Sequence, residues 1–142
     1  MDQTTERGRP DDLSVRIIES LPEPTRTTFR KLLEEPLLEV DALTKRVKTY
    51  AASVGSHVGR VEVVDLWTAG LVERKCLALI AKIDGSASAE RPFIQAAVLY
   101  FISEEDAEDD IDSPFGFEDD LAVADAVARE LGFDDIANME GA

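Results

Sequence analysis

Residues 93–102 read FIQAAVLYFI, and from Tyr100 the chain continues as YFISEEDAEDDIDSPFGFEDD to Asp120. In the first run only Gln95 is strongly polar, so a helix formed there has no wet face. Such a helix belongs at the centre of a fold, with others packed round it. Pro92 suits its first turn, where the missing N–H is not needed. A run of ten residues falls well short of the roughly 20 that span a bilayer, so no membrane span is expected. After Tyr100 comes a run of carboxylates with no Lys or Arg, broken by Pro114 and Gly116. A second helix leaves it, from about Phe117 to Leu131, with Leu121, Ala124, Ala128 and Leu131 on one face and Val123 and Val127 widening it. Glu118, Asp119 and Asp120 lie in its first turn, where the helix dipole favours negative charge. Gly132 is placed to end it in a left-handed cap, with Phe133 just beyond.

Upstream, the apolar spacing is again helical. Asp11 or Asp12 caps a short helix through Leu13, Ile17, Ile18 and Leu21, which Pro22 and Pro24 end. Another starts near Thr25 and runs through Phe29, Leu32 and Leu33 until Pro36 interrupts it. From Leu37 an amphipathic helix through Leu38, Val40, Leu43, Val47 and Tyr50 ends near Gly55. SVGSHVG, residues 53–59, is a turn by composition. A long segment from Val61 to Ile83 reads as helix, weakened at Gly70, since glycine costs about 1 kcal/mol against alanine there. Its β-branched start has no second strand to pair with, so helix is the better reading. Residues 84–89 form a loop.

The fold expected is therefore all-α, a single domain of about five to six helices round the central one at 93–102. Residues 1–12 form a disordered arm, 13–133 the helical domain and 134–142 a tail that adds a turn or frays.

The chain of 142 residues has a formal charge of −15. Residues 1–82 hold 13 Lys and Arg against 13 Asp and Glu, while residues 83–142 hold 2 against 17. All the excess therefore lies in the C-terminal part. Direct nucleic-acid binding, which needs clustered basic side chains, is not expected. A basic protein partner or a cation is the natural ligand. No signal peptide is visible at the N-terminus. The lone cysteine, Cys76, has no partner for an internal disulfide, and a reducing cytoplasm is the expected compartment.

From Tyr100 to Asp120 the chain resembles the YkvA-like family, small bacterial helical domains of unknown function. That family pairs a hydrophobic helix ending in Tyr with spaced Asp, Pro and Gly and an Asp-Asp pair opening the next helix. The matching positions here are Tyr100, Asp106, Asp110, Gly116, Asp119 and Asp120, and the likeness covers about Pro92 to Leu131. Where the family typically has prolines this chain has Glu104, Asp109 and Ser113, with Pro114 displaced by one. Glu105 and Glu108 replace apolar residues. The resemblance implies a helical fold and no particular reaction.

Two readings of the matched carboxylates stay open. In one, Asp106 and Asp110 cap turns, Asp119 and Asp120 polarise the last helix, and Gly116 supplies a positive φ. In the other, Asp106, Asp110, Asp119 and Asp120 bind calcium or magnesium through their oxygens. The EF-hand pattern itself is absent. With Asp106 first, Ile111 takes the glycine position and Phe117 the bidentate one, and starting at Asp110 puts Pro114, Phe115 and Leu121 at ligand or glycine positions.

No catalytic constellation is expected. His57, the one histidine, falls in a Gly-rich turn, and Cys76 lies among Leu71, Val72, Leu77 and Leu79, as a buried thiol does. Zinc of the usual Cys and His kind lacks ligands. Trp67, Phe93, Tyr100 and Phe101 read as core. The leading expectation is a non-enzymatic interaction or regulatory module without a cofactor. Its acidic face, at Glu104, Glu105, Glu108, Asp109 and Asp112, would meet a basic protein partner. Calcium or magnesium binding is the alternative, and an acidic mimic of nucleic acid that occupies a DNA-binding partner is a further one. The sequence sets no oligomeric state.

Overall fold

The computed structural model describes residues 10–55, 63–85, 87–102 and 116–139. Their elements are α1 (Pro10–Ser20), a 3-10 turn at Glu23–Thr25, α2 (Arg26–Leu33), α3 (Val40–Gly55), α4 (Val63–Ala81), a second 3-10 turn at Ile83–Gly85, α5 (Arg91–Ile102), α6 (Gly116–Glu130) and α7 (Asp134–Ala137). The fold is all-helical, and the described residues form no strand.

The apolar run at 93–102 is the central helix expected of it. Every residue of α5 from Phe93 to Phe101 is buried, with α2, α3, α4 and α6 packed round it. Ring contacts give the helices their sense. Tyr50, late in α3, meets Phe101, late in α5, edge to face at 4.9 Å between centroids. Phe101 meets Phe117, in the first turn of α6, at 6.4 Å. The ends of α3 and α5 and the start of α6 therefore share one pole of the bundle. At the other pole, Lys82 beyond the end of α4 pairs with Asp135 at 3.3 Å and lies 5.4 Å from the centre of the Phe133 ring, past the end of α6. So α4 runs parallel to α6, and both run against α3 and α5.

The boundaries differ from the sequence reading in four places. First, α1 begins at Pro10, inside the arm assigned to 1–12, because proline fits a first helical turn at no hydrogen-bond cost. Second, α3 begins at Val40 instead of Leu37, and Leu37 is half exposed. The backbone of 36–38 is bonded by side chains of α5, as described below. Third, the tail contributes α7, whose Ile136 is fully buried, so packed structure extends past residue 133. Fourth, α6 begins at Gly116 instead of Phe117, and Gly132, just past its end, has a positive φ of +83°. There the Phe133 amide donates to Ala128 O at 2.8 Å and the Gly132 amide to Arg129 O at 3.1 Å. This pairing closes the C-terminus of α6 with two otherwise orphaned carbonyls satisfied. Arg26 does similar service for α1, donating from Nε to Leu21 O and from Nη2 to Glu19 O.

Helix α4 runs unbroken through Gly70. A Cβ built at Gly70 would meet nothing within 4 Å, so no neighbour among the described residues requires a glycine.

Candidate functional site

Of the residues matched to the family pattern, the structure places Tyr100 and Asp120 in the interior and Asp119 on the surface. Successive residues of a helix point about 100° apart, so the Asp-Asp pair cannot act as one unit on a single ligand face. Asp106 and Asp110, together with Glu104, Glu105, Glu108, Asp109 and Asp112, lie outside the described residues, as does His57. Beyond α5, the exposed acids among the described residues, Glu118 and Asp119 on α6 and Asp134 and Asp135 on α7, stand at helix starts where the dipole favours them. Among the described residues no group of three or more His, Cys, Asp or Glu is placed to hold a metal ion.

Cys76 is fully buried on α4. Burial pushes its thiol far above the ordinary range, and the nearby charges of Asp120 and Glu73 push further the same way. The thiolate is the reactive form, so this sulfur is inert while the chain is folded.

Two buried polar anchors were not singled out from the sequence. One is Lys75, only 2% exposed, whose Nζ donates to Asp125 of α6 and to Ala137 O of α7 at 3.1 Å. Its position is readable in hindsight. Thr68, Val72, Lys75 and Leu79 fall at i, i+4, i+7 and i+11, all buried, so a lysine stands in the inward stripe of α4. Asp125 interrupts the stripe of α6 in the same way. Ammonium, carboxylate and the last carbonyl of α7 together satisfy a charge that would otherwise be costly to bury.

The other anchor is Gln95, 1% exposed and the single polar residue of the central run. Its Oε1 accepts from Leu38 N at 2.7 Å and its Nε2 donates to Pro36 O at 2.9 Å. Arg91 adds a bond from Nη2 to Leu38 O at 2.7 Å. The amide thus pairs with one donor and one acceptor of the 36–38 backbone and ties this segment, ahead of α3, to the central helix.

Trp67 departs from its expected place in the core. It is 54% exposed on the outer side of α4, three residues before Gly70. The inward stripe of this helix is taken by Thr68, Val72 and Cys76, which leaves position 67 facing out.

No family model, no curated protein and no solved structure matches this chain. No helix among the described residues is long and apolar enough to cross a membrane.

Proposed function

We propose that the chain is a cytoplasmic, non-enzymatic interaction or regulatory module that presents its acidic C-terminal face to a basic protein partner. The observation that carries this reading is the segregation of charge, 2 basic against 17 acidic residues after residue 82. The outward placement of Glu118, Asp119, Asp134 and Asp135 supports it, since these charges are open to a partner. The inertness of Cys76 supports the non-enzymatic part, because it removes the one thiol nucleophile. Relation to the YkvA-like family is part of the same proposal. Within it, Tyr100 and Asp120 serve the packing between α5 and α6, and the acids peculiar to this chain serve the partner.

A pull-down compared between the native chain and a variant with Lys at positions 104, 105, 108, 109 and 112 tests the proposal. Capture that is lost in the variant, and that weakens as salt rises, is the expected outcome. Equal capture by both proteins at all salt concentrations would refute it.

A further inference from the structure

The acidic C-terminal part has a counterpart earlier in the chain. No Asp or Glu falls between Asp41 and Glu62, and that stretch carries Lys45, Arg46, Lys48 and Arg60. The first three stand on α3, where all are exposed and none is in an ion pair with a described residue. Lys45 and Lys48 are neighbours at i and i+3 on the helix surface, with Arg46 beside them. Asp41, in the first turn of α3, is the one acid of that helix and offsets part of this charge. The face stays cationic.

The fold keeps this face away from the acids. Helix α3 packs against α4 and α5, whereas α6 packs against α1, α4, α5 and α7. With α4 and α5 between them, the bundle cannot lay its own Glu118, Asp119 or Asp134 on α3. A second copy can. On the acidic side Arg16 is already paired with Glu130 and Lys82 with Asp135, which leaves the exposed Arg129 as the opposing charge. Two chains of −15 repel at long range, but physiological salt screens that repulsion beyond about 8 Å. Contact is then decided by the groups that meet, cations on one side and a surplus of carboxylates on the other.

We propose that the exposed face of α3 at Lys45, Arg46 and Lys48 is the docking site for the acidic C-terminal part of a second copy of this chain. The inference rests on the acidic-module reading and names its basic partner. Because the two faces lie on different sides of the bundle, the contact is head to tail, and every added copy leaves one face of each kind open. Such association grows past a dimer as concentration rises.

The test is the mass of the full chain in solution, followed by light scattering over a range of concentrations at physiological salt. The native chain should rise from the mass of one copy past that of two. A triple variant, Lys45→Gln, Arg46→Gln and Lys48→Gln, should need at least about tenfold more protein to associate. So should a variant with its acids neutralised by Glu104→Gln, Glu105→Gln, Glu108→Gln, Asp109→Asn and Asp112→Asn. Mixed together, the two variants keep one working face each and should form a 1:1 dimer that grows no further. Lys45→Arg with Lys48→Arg keeps the charge and should associate as the native chain does, which separates loss of charge from loss of fold. A native chain that stays a single copy at every concentration overturns the inference. If the five-lysine variant still loses capture in the pull-down, the acidic module then stands with another basic protein as its partner; if it does not, both readings fall. Association that survives neutralisation of α3, or variants that fail to pair with each other, also overturns the inference.

Discussion

Lys75 and Gln95 are both polar, both almost wholly buried, and both tie a distant segment to the bundle, yet they do it by different chemistry. Lys75 brings a full charge inside and answers it with the Asp125 carboxylate and Ala137 O, holding α4, α6 and α7 together. Gln95 brings a neutral amide and answers it with one donor and one acceptor of the 36–38 backbone. The difference lies in what remains when the anchor is removed. Loss of the amide strands two neutral backbone groups at a half-exposed linker. Loss of the ammonium strands a carboxylate with only 23% of its side-chain surface in water. The charged anchor should therefore be the more damaging one to break, although intact it need add no more stability than an apolar replacement.

Lys75→Met, which keeps most of the volume and removes the charge, should give the largest effect. Removing one partner of a buried pair costs about 3–5 kcal/mol, and the water still reaching Asp125 lowers that to about 2–3 kcal/mol. Urea unfolding with an unchanged slope would measure it. The double variant Lys75→Met with Asp125→Leu should recover most of the loss. If it does not, the pair is a net source of stability and the contrast with Gln95 weakens.

Gln95→Leu should cost about 1–2 kcal/mol, the usual range for leaving buried neutral hydrogen-bonding groups unpaired. Its signature is local. The Leu38 amide should exchange faster than in the native chain while amides of α6 keep their relative protection. Uniform loss of protection would show that the linker clamp belongs to the global unfolding unit, as the Lys75 anchor does.

The same contrast explains what could be read from the chain alone. The central helix was legible because FIQAAVLYFI is apolar whichever way it turns, and the buried state of Cys76 followed from its apolar neighbours. Gly132 was legible because a cap is a local event, decided by residues within one turn. The two anchors are not local. Gln95 acts 57 residues from Leu38, and Lys75 acts 50 residues from Asp125. Nothing in the sequence near Leu37 says that its backbone is already engaged, so helix periodicity extends the predicted element too far. Trp67 failed for the complementary reason, since hydrophobicity predicts burial on average while register decides it for each residue. At the candidate site only half of the family-matched carboxylates fall on described residues, and there the adjacent pair divides between interior and surface.

Gly132→Ala probes the junction that delivers α7 to the Lys75 anchor. At φ +83° an alanine pays the left-handed penalty, about 1 kcal/mol, with no steric clash to add to it. A melting temperature lowered accordingly is the expected result. Combined with Lys75→Met, the two losses should fall short of additivity, because both act through the docking of α7. Full additivity would mean that the cap and the anchor hold α7 independently.

Gly70→Ala should move stability the other way and by the smallest amount. The residue lies inside α4, its φ is not positive, and the added methyl meets open space, so the substitution carries no folded-state penalty. Alanine loses less backbone entropy than glycine on folding, which stabilises the helix by about 0.5–1 kcal/mol. Helix α4 is also the element that carries Lys75, so a stiffer α4 tests whether the anchor depends on the helix or the helix on the anchor. If the gain survives intact in the Lys75→Met background, the helix forms on its own propensity and the lysine only docks its neighbours. If the gain disappears there, the first half of α4 is ordered through the anchor, and the glycine has been tolerated because packing, not propensity, sets the helix.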